Sequence, residues 1–381
     1  MRLKANKGSA RVFAVEDTAA QVCWHELPEG SVLEAGDARA EVGTGGGGEV
    51  GSVGAVNLDG LPPDTSLDLI LSTPGGGRRQ VARFRTLAPP PGRLLCRFAT
   101  VNDIHVGERA FGLLRTLSLP ATSPAETHSV LCARTALQEA LAWGAEAVVA
   151  KGDLTYHGRP AEWDEVGRLL SGLGVPVVAL LGNHDVSRKA IDGRAALAAH
   201  DIHTPSEPFT RDLPGIRLVL AHSEVRGHSG GHVEAQREGI GDLLRESGGP
   251  AFLTMHHYLQ RHRLPTSYPR GIAGNEARAL LDTVVAANPA TLVSTGHSHR
   301  HRRRRYGPVV LTEIGATMHY PGTWAGYAVH EGGIRQVVRR VAAPEAIQWT
   351  ERTRRVLLGL WGLWTPGLRP DRCFSHTWPG R

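Results

Sequence analysis

Val177-Val178-Ala179-Leu180-Leu181-Gly182-Asn183-His184-Asp185 runs five apolar residues into a glycine and three side chains able to bind a cation. The apolar run has the length of a buried strand, and the glycine lets the backbone turn sharply at its carboxyl end. The same arrangement recurs at Asp103-Ile104-His105 after 94–101, Gly152-Asp153 after 147–150, His256-His257 after 251–255, and Gly296-His297-Ser298-His299 after 291–295. Helical spacing fills several intervals: Val130, Leu137 and Leu141 within 129–143, Trp163, Val166 and Leu169/Leu170 within 159–173, and Leu280, Leu281 and Val284 within 276–287. With further strands at 217–221 and 309–314, the chain from Gly92 onward reads as an α/β layered domain. Ligands in such folds collect beyond the carboxyl ends of the strands, so the five motifs are expected to meet in one crevice. Alternation along extended backbone would turn Asp103 with His105, and His297 with His299, to the same side.

The residue types select the chemistry. Carboxylate and amide oxygens mixed with imidazole nitrogens, and no cysteine in any motif, suit divalent or trivalent first-row ions rather than a structural zinc site. Seven candidate ligands, Asp103, His105, Asp153, Asn183, His256, His297 and His299, are too many for one ion. They suit two ions about 3.5–4 Å apart that share a carboxylate, the arrangement used in phosphoester hydrolysis. His256 directly follows an apolar strand and is taken as the ligand; its neighbour His257 is expected to touch substrate.

In order and in kind, DxH, GDxx, GNHD, a lone His and GHxH across 103–299 resemble the calcineurin-like metallophosphoesterases, and within them the class III cyclic nucleotide phosphodiesterases. The resemblance implies a four-layer α/β/β/α sandwich over 93–341. It further implies one ion on Asp103, His105, Asp153 and His299, and a second on Asp153, Asn183, His256 and His297, with Asp153 bridging. Mn or Fe would be the metals, with Zn as the alternative. A bridging hydroxide would attack a phosphodiester in line, cyclic nucleotides being one candidate. His184 would protonate the leaving group and Asp185 would orient its ring, while Asn183 would also face substrate.

A second resemblance competes. Gly152-Asp153-Leu154-Thr155-Tyr156 fits the GDxxY of purple acid phosphatases, which are phosphomonoesterases with a tyrosine on iron. Short alternating segments at 21–27, 53–58, 67–71 and 80–86 suggest a small all-β sandwich over 1–88. Trp24, Leu61-Pro62-Pro63-Asp64-Thr65 and Phe84-Arg85-Thr86-Leu87 make it resemble the fibronectin-III-like domain preceding those enzymes. His105 stands where purple enzymes have glycine and Leu67 where they have an aromatic, so Tyr156 is assigned to substrate contact instead of a metal. A non-catalytic metal-binding protein on the same fold is the third reading.

Composition bounds the rest. Among 381 residues the 43 basic and 37 acidic side chains leave a net charge of +6, and all but four of the basic ones are arginine, which favours phosphate as a partner. Arg300-His301-Arg302-Arg303-Arg304-Arg305 reads as a solvated basic loop, with no specific nucleic-acid partner implied. Four scattered cysteines suggest free thiols and a reducing, cytoplasmic setting. Residues 1–30 lack the apolar core of a secretory signal, and no run reaches the ~18 apolar residues of a membrane span. Ala88-Pro89-Pro90-Pro91-Gly92 is a stiff, solvated connector, with the linker at 89–92. The tail 342–381 is expected to pack on the catalytic domain, with peripheral membrane contact through Val356–Trp364, beside Arg354 and Arg355, as the alternative. Residues 113–124 and 226–231 read as loops. His25, His128, His200, His319, His330 and His376 read as ordinary surface or half-buried histidines.

Overall fold

Val148-Val149 and Val177-Val178 are β-branched pairs suited to a pleated surface, and they face each other in neighbouring parallel strands. The computed structural model describes residues 8–43, 53–112, 117–118, 127–262 and 269–380. Leu94–Val101 pairs in parallel with the other edge of Val148–Lys151, and the helices His128–Ala142 and Pro160–Ser171 make the crossovers. The second helix starts cleanly because Pro160 needs no backbone donor there and the Glu162 carboxylate accepts the N–H groups of His157 and Arg159. Its buried stripe, Trp163, Val166 and Leu170, lies on the sheet.

Antiparallel strands Thr323–His330, Gly333–Arg340 and Phe374–Thr377 extend this sheet to six. The other six-stranded sheet contains four parallel strands, Ile216–Leu220, Ala251–Thr254, Thr291–Thr295 and Val309–Glu313, flanked by antiparallel Phe209–Leu213 and Arg302–Tyr306. The sheets face each other across Phe98, Phe252 and Tyr327, whose rings meet at 4.8–5.0 Å. Helices Arg237–Arg245 and Gly274–Ala287 cover the outer face of the second sheet through Ile240, Leu244, Leu280 and Val284. The result is a four-layer α/β/β/α sandwich. Below the carboxyl ends, the buried Lys151 of one sheet reaches the Ser294 hydroxyl (3.0 Å) and the Thr295 carbonyl (3.2 Å) of the other. Burial pushes its pKa down to about 7.

Several expectations need correction. Arg300–Arg305 is no solvated loop: Arg302–Tyr306 is an edge strand, and Arg300, Arg302 and Arg304 converge on the nearly buried Glu313 at 3.3–4.0 Å. Gly333–Arg340 escapes a sequence reading because its arginines suggest an exposed face. Every residue is in fact buried, since Arg335 and Arg339 pair with Glu16 of the N-terminal strands. The proline connector is docked: Pro90 is buried, and the Pro91 carbonyl accepts the Gly332 N–H at 2.9 Å. Of the 113–124 loop, only 117–118 is described, paired with Ala110–Phe111.

The N-terminal residues form two antiparallel sheets, a three-stranded one (Ser9–Val15, Ala19–His25, Val53–Asp59) and a four-stranded one (Ala38–Glu41, Val32–Ala35, Ser66–Ser72, Arg78–Arg85). They enclose Val22, Trp24, Leu33, Leu58, Leu69 and Phe84. All four cysteines are buried, and none forms a disulfide among the described residues. Among the described residues, no helix is long and apolar enough to cross a membrane.

Candidate metal centre

The strands Leu94–Val101, Val148–Lys151, Val177–Leu180, Ala251–Thr254 and Thr291–Thr295 end side by side, and each delivers one motif. Strand alternation does not aim the side chains. Asp103, His105, Asp153, His297 and His299 lie past their strands in left-handed backbone with φ of 49–64°, five of the ten non-glycine residues described with positive φ. Each such residue costs roughly 1–2 kcal/mol, so their concentration at one spot marks a built site. Cross-links between loops hold it: Asp103 N–H to the Gly152 carbonyl (3.0 Å), His105 N–H to the Asp153 carbonyl (3.0 Å), His184 N–H to Asp153 Oδ1 (2.8 Å) and His297 N–H to Asp103 Oδ2 (3.1 Å). Gly182 is required for close approach, because a Cβ there would stand 2.2 Å from Asp153 Oδ1.

The imidazoles are turned by their outer nitrogens. His256 Nδ1 donates to the Lys151 carbonyl at 2.8 Å, which turns its Nε2 inward to 3.2 Å from Asp153 Oδ2. His299 Nδ1 lies 3.0 Å from His319 Nδ1, and its Nε2 faces Asp103 Oδ1 at 3.1 Å. His297 Nε2 donates to the Arg270 carbonyl at 3.0 Å, freeing Nδ1. His105 Nε2 stands 3.8 Å from Asp153 Oδ2 and 3.9 Å from Asp103 Oδ1. Asp103 Oδ1, Asn183 Oδ1 and His256 Nε2 are buried without a hydrogen-bond partner among the described residues. Oxygen and nitrogen ligand atoms converging in this way fit cations, and outer hydrogen bonds of this kind orient a metal-binding histidine.

The donor atoms fall into overlapping groups, each within 4.8 Å: Asp103, His105 and His299; Asp103, Asp153 and His256; His105, Asp153 and His184; and His256, His257 and His297. Asp153 belongs to groups on both flanks. The electrostatics call for positive charge. Burial opposes ionisation of Asp103, but His299 and His105 outweigh it and hold the carboxyl well below its usual range. Burial likewise opposes charge on His256, yet Asp153 and Asp103 pull its pKa up to about 9. His297 goes the other way, down to about 3, through burial and the adjacent His256.

Residues 96–301, more than half of the chain, match the sequence pattern of the calcineurin-like phosphoesterases. The chain belongs to this family. As a calcineurin-like phosphoesterase it is 26% identical over 183 residues to glycerophosphodiester phosphodiesterase GpdQ of Enterobacter lignolyticus, a match covering 46% of this chain and 63% of that protein. It is also 26% identical over 180 residues to a probable cyclic nucleotide phosphodiesterase of a Psychrobacter species, covering 45% of this chain and 51% of the relative. The matches thus span less than two thirds of either relative. A dimetal phosphatase from Danio rerio shares the fold, with a TM-score of 0.51 at 15% identity over 66% of this chain and 98% of that one.

Within this calcineurin-like phosphoesterase, the structure redirects two expected roles. Asp185 does not orient His184. Its fully buried carboxylate accepts the N–H groups of Leu154, Thr155 and Gly182 and the Thr155 hydroxyl, tying the Asp153 and Asn183 loops together. The His184 ring is instead held by Nδ1 at 3.0 Å from the Tyr156 carbonyl, with the Tyr156 ring stacked on it at 5.0 Å. His257, expected at substrate, is fully buried beside His256 and His297, its Nδ1 2.9 Å from Ser223 Oγ.

Four residues that sequence reasoning did not assign to the site join it. His319, read as ordinary, is 1% exposed and stands between His299 and Glu108, with Nε2 3.1 Å from Glu108 Oε2. Glu108, five positions after Asp103, is the only nearby signal the sequence offered. Phe111 stacks on His319 at 3.7 Å, and Trp361 of the tail closes the same wall, its ring 5.9 Å from that of His299.

Proposed function

We propose that this chain hydrolyses small phosphodiesters at a pair of ions sharing Asp153. The observation that carries the reading is the membership of Asp153 in donor groups on both flanks, with His105 on one side and His256 on the other. Asp103, His105, Asp153 and His299 would hold one ion; Asp153, Asn183, His256 and His297 the other. The orphaned Asp103 Oδ1, Asn183 Oδ1 and His256 Nε2 fit that assignment, and the mixed oxygen and nitrogen donors suit Mn or Fe, with Zn as the alternative. When bound, two such ions supply hydroxide near neutral pH and neutralise the phosphoryl oxygens as charge develops.

The chain's own residues do the remainder. His184, with Nδ1 anchored on the Tyr156 carbonyl, presents Nε2 as the proton donor to the departing alkoxide. Tyr156 and the Phe111–Trp361 wall flank the ester. The names of the two relatives, a glycerophosphodiesterase and a probable cyclic nucleotide phosphodiesterase, support a small diester as substrate. A specific nucleic-acid partner is not proposed, since Arg300, Arg302 and Arg304 are turned to Glu313 and Arg303 lies over the Phe374 ring. Four buried cysteines outside any disulfide support a reducing compartment such as the cytoplasm. The linker is assigned to 89–92, and the order of the N-terminal strands supports a fibronectin-III-like sandwich.

A phosphomonoesterase is the second reading, favoured by Tyr156 beside His184 and by that sandwich. The test is purified protein supplied with Mn²⁺ on bis-p-nitrophenyl phosphate and p-nitrophenyl phosphate. Faster turnover of the diester is expected; a strong monoester preference overturns it. Loss of both activities in Asn183→Ala would exclude a non-catalytic binding role.

A further inference from the structure

Six large apolar residues are exposed among those described, and five of them, Leu357, Leu358, Leu360, Leu363 and Leu368, fall within twelve positions of the tail. Leu358 is fully exposed, and Leu360, Leu363 and Leu368 are 62%, 71% and 71% exposed. Such clustering is unlike the single apolar residues scattered over any protein surface. The backbone contributes to it. Leu357, Leu358 and Gly359 have successive φ values of 55°, 58° and 90°, a left-handed turn that non-glycine residues adopt at a cost and that here holds Leu358 away from the protein.

The two faces of this segment differ. In the short helix Leu360–Trp364, Trp361 packs on Phe111 at 5.0 Å and lies 6.4 Å from His319, while the Trp364 ring carries the Arg300 guanidinium at 4.9 Å. Leu360 and Leu363 are the residues of this helix turned to solvent. From 352 to 370 the chain contains Arg352, Arg354, Arg355 and Arg369 and no acidic residue, though Arg354 is turned back to Glu351 at 3.5 Å. Just beyond, Asp371 is turned inward to accept the N–H groups of Leu368 and Arg303.

We propose that the outer face of 357–368 docks on an anionic phospholipid bilayer, with the leucines entering the boundary between headgroups and acyl chains and the arginines meeting the phosphates. Apolar insertion and basic attraction are each weak alone and sufficient together. A second copy of this chain fits less well. A two-fold contact would bring each arginine cluster against itself, and twelve residues fall short of the roughly 800 Å² per partner that a stable dimer needs. Because Trp361 belongs to the wall of the candidate metal centre, docking would bring the bilayer to the mouth of the site. That consequence rests on the phosphodiesterase reading; the docking itself does not.

The test is sedimentation of the full chain with vesicles of phosphatidylcholine alone and of phosphatidylcholine with phosphatidylglycerol at about 3:1. Binding is expected to the mixed vesicles, at least about tenfold weaker to the neutral ones, and weakened by salt. Leu358→Ser/Leu363→Ser should lower the partition at least about tenfold, with the thermal melt unchanged. Arg355→Glu/Arg369→Glu, which leaves the leucines intact, should lower binding to mixed vesicles only. Absence of binding to both vesicles overturns the proposal, as does binding undiminished in both variants. A concentration-dependent dimer abolished by the leucine changes, without vesicle binding, assigns the face to a second copy and overturns it too. Sedimentation needs no substrate, so this outcome and the hydrolysis test fail independently.

Discussion

His299 Nδ1 lies 3.0 Å from His319 Nδ1, the His319 ring fully buried and the His299 ring partly so. Glu108 Oε2 lies 3.1 Å behind His319 Nε2, and on the far side His299 turns its Nε2 to Asp103 Oδ1 at 3.1 Å. The row Glu108–His319–His299–Asp103 thus backs the His299 ring and aims it at Asp103.

Removing its middle member should loosen metal without unfolding the site. His319→Ala is expected to lower apparent Mn²⁺ affinity about 10–100-fold in a competition titration. An affinity equal to that of the unsubstituted protein would deny the orienting role.

His184→Ala should separate proton donation from metal holding. Diester turnover is expected to fall about 10²–10⁴-fold while the metal content by elemental analysis stays the same. A matching loss of metal would place His184 among the ligands, as its proximity to His105 and Asp153 allows.

Gly182→Ala asks whether close approach matters where a ligand is held. The added methyl would meet Asp153 Oδ1 at 2.2 Å and the Asp153 amide nitrogen at 2.4 Å, neither of which has room to move. Destabilisation of about 1–3 kcal/mol and loss of metal binding are expected. Unchanged melting and unchanged metal content would contradict the packing described.

Glu351 joins the tail helix Pro344–Thr353 to Arg340, with Nη1 at 3.0 Å, and to His25 of the N-terminal strands at 3.6 Å. Burial would raise its pKa, but Arg340 and His25 outweigh this and depress it below 4.5. A depressed carboxylate stabilises the fold above its unfolded pKa and ceases to do so as pH falls through its folded value. Glu351→Gln should thus cost about 3–5 kcal/mol near neutrality. The gap to the unsubstituted protein should close below pH 4.5 in urea melts. A gap that persists unchanged into acid would exclude the pairing as its source.

The layered α/β architecture and the five motifs were legible because each is local: an apolar strand followed at once by its polar residues. Strand Gly333–Arg340 was not, since its burial depends on Glu16, more than three hundred positions away. His319 was unreadable for the same reason, with nothing beside it in the chain to tell it from the other histidines. Asp185 shows the converse: adjacency to His184 suggested a partnership, whereas the backbone turn directs its carboxylate to Leu154, Thr155 and Gly182.

By itself the order of residues determined which side chains could bind cations and that they would leave neighbouring strands at one edge, because strand length, glycine placement and donor chemistry are written residue by residue. The folded chain alone decided which nitrogen of each histidine faces inward, that Asp153 stands between two donor groups, and that the tail turns tryptophans to the site and leucines to solvent. Hydrogen-bond direction and burial depend on groups distant in sequence, and only their packing brings those groups together.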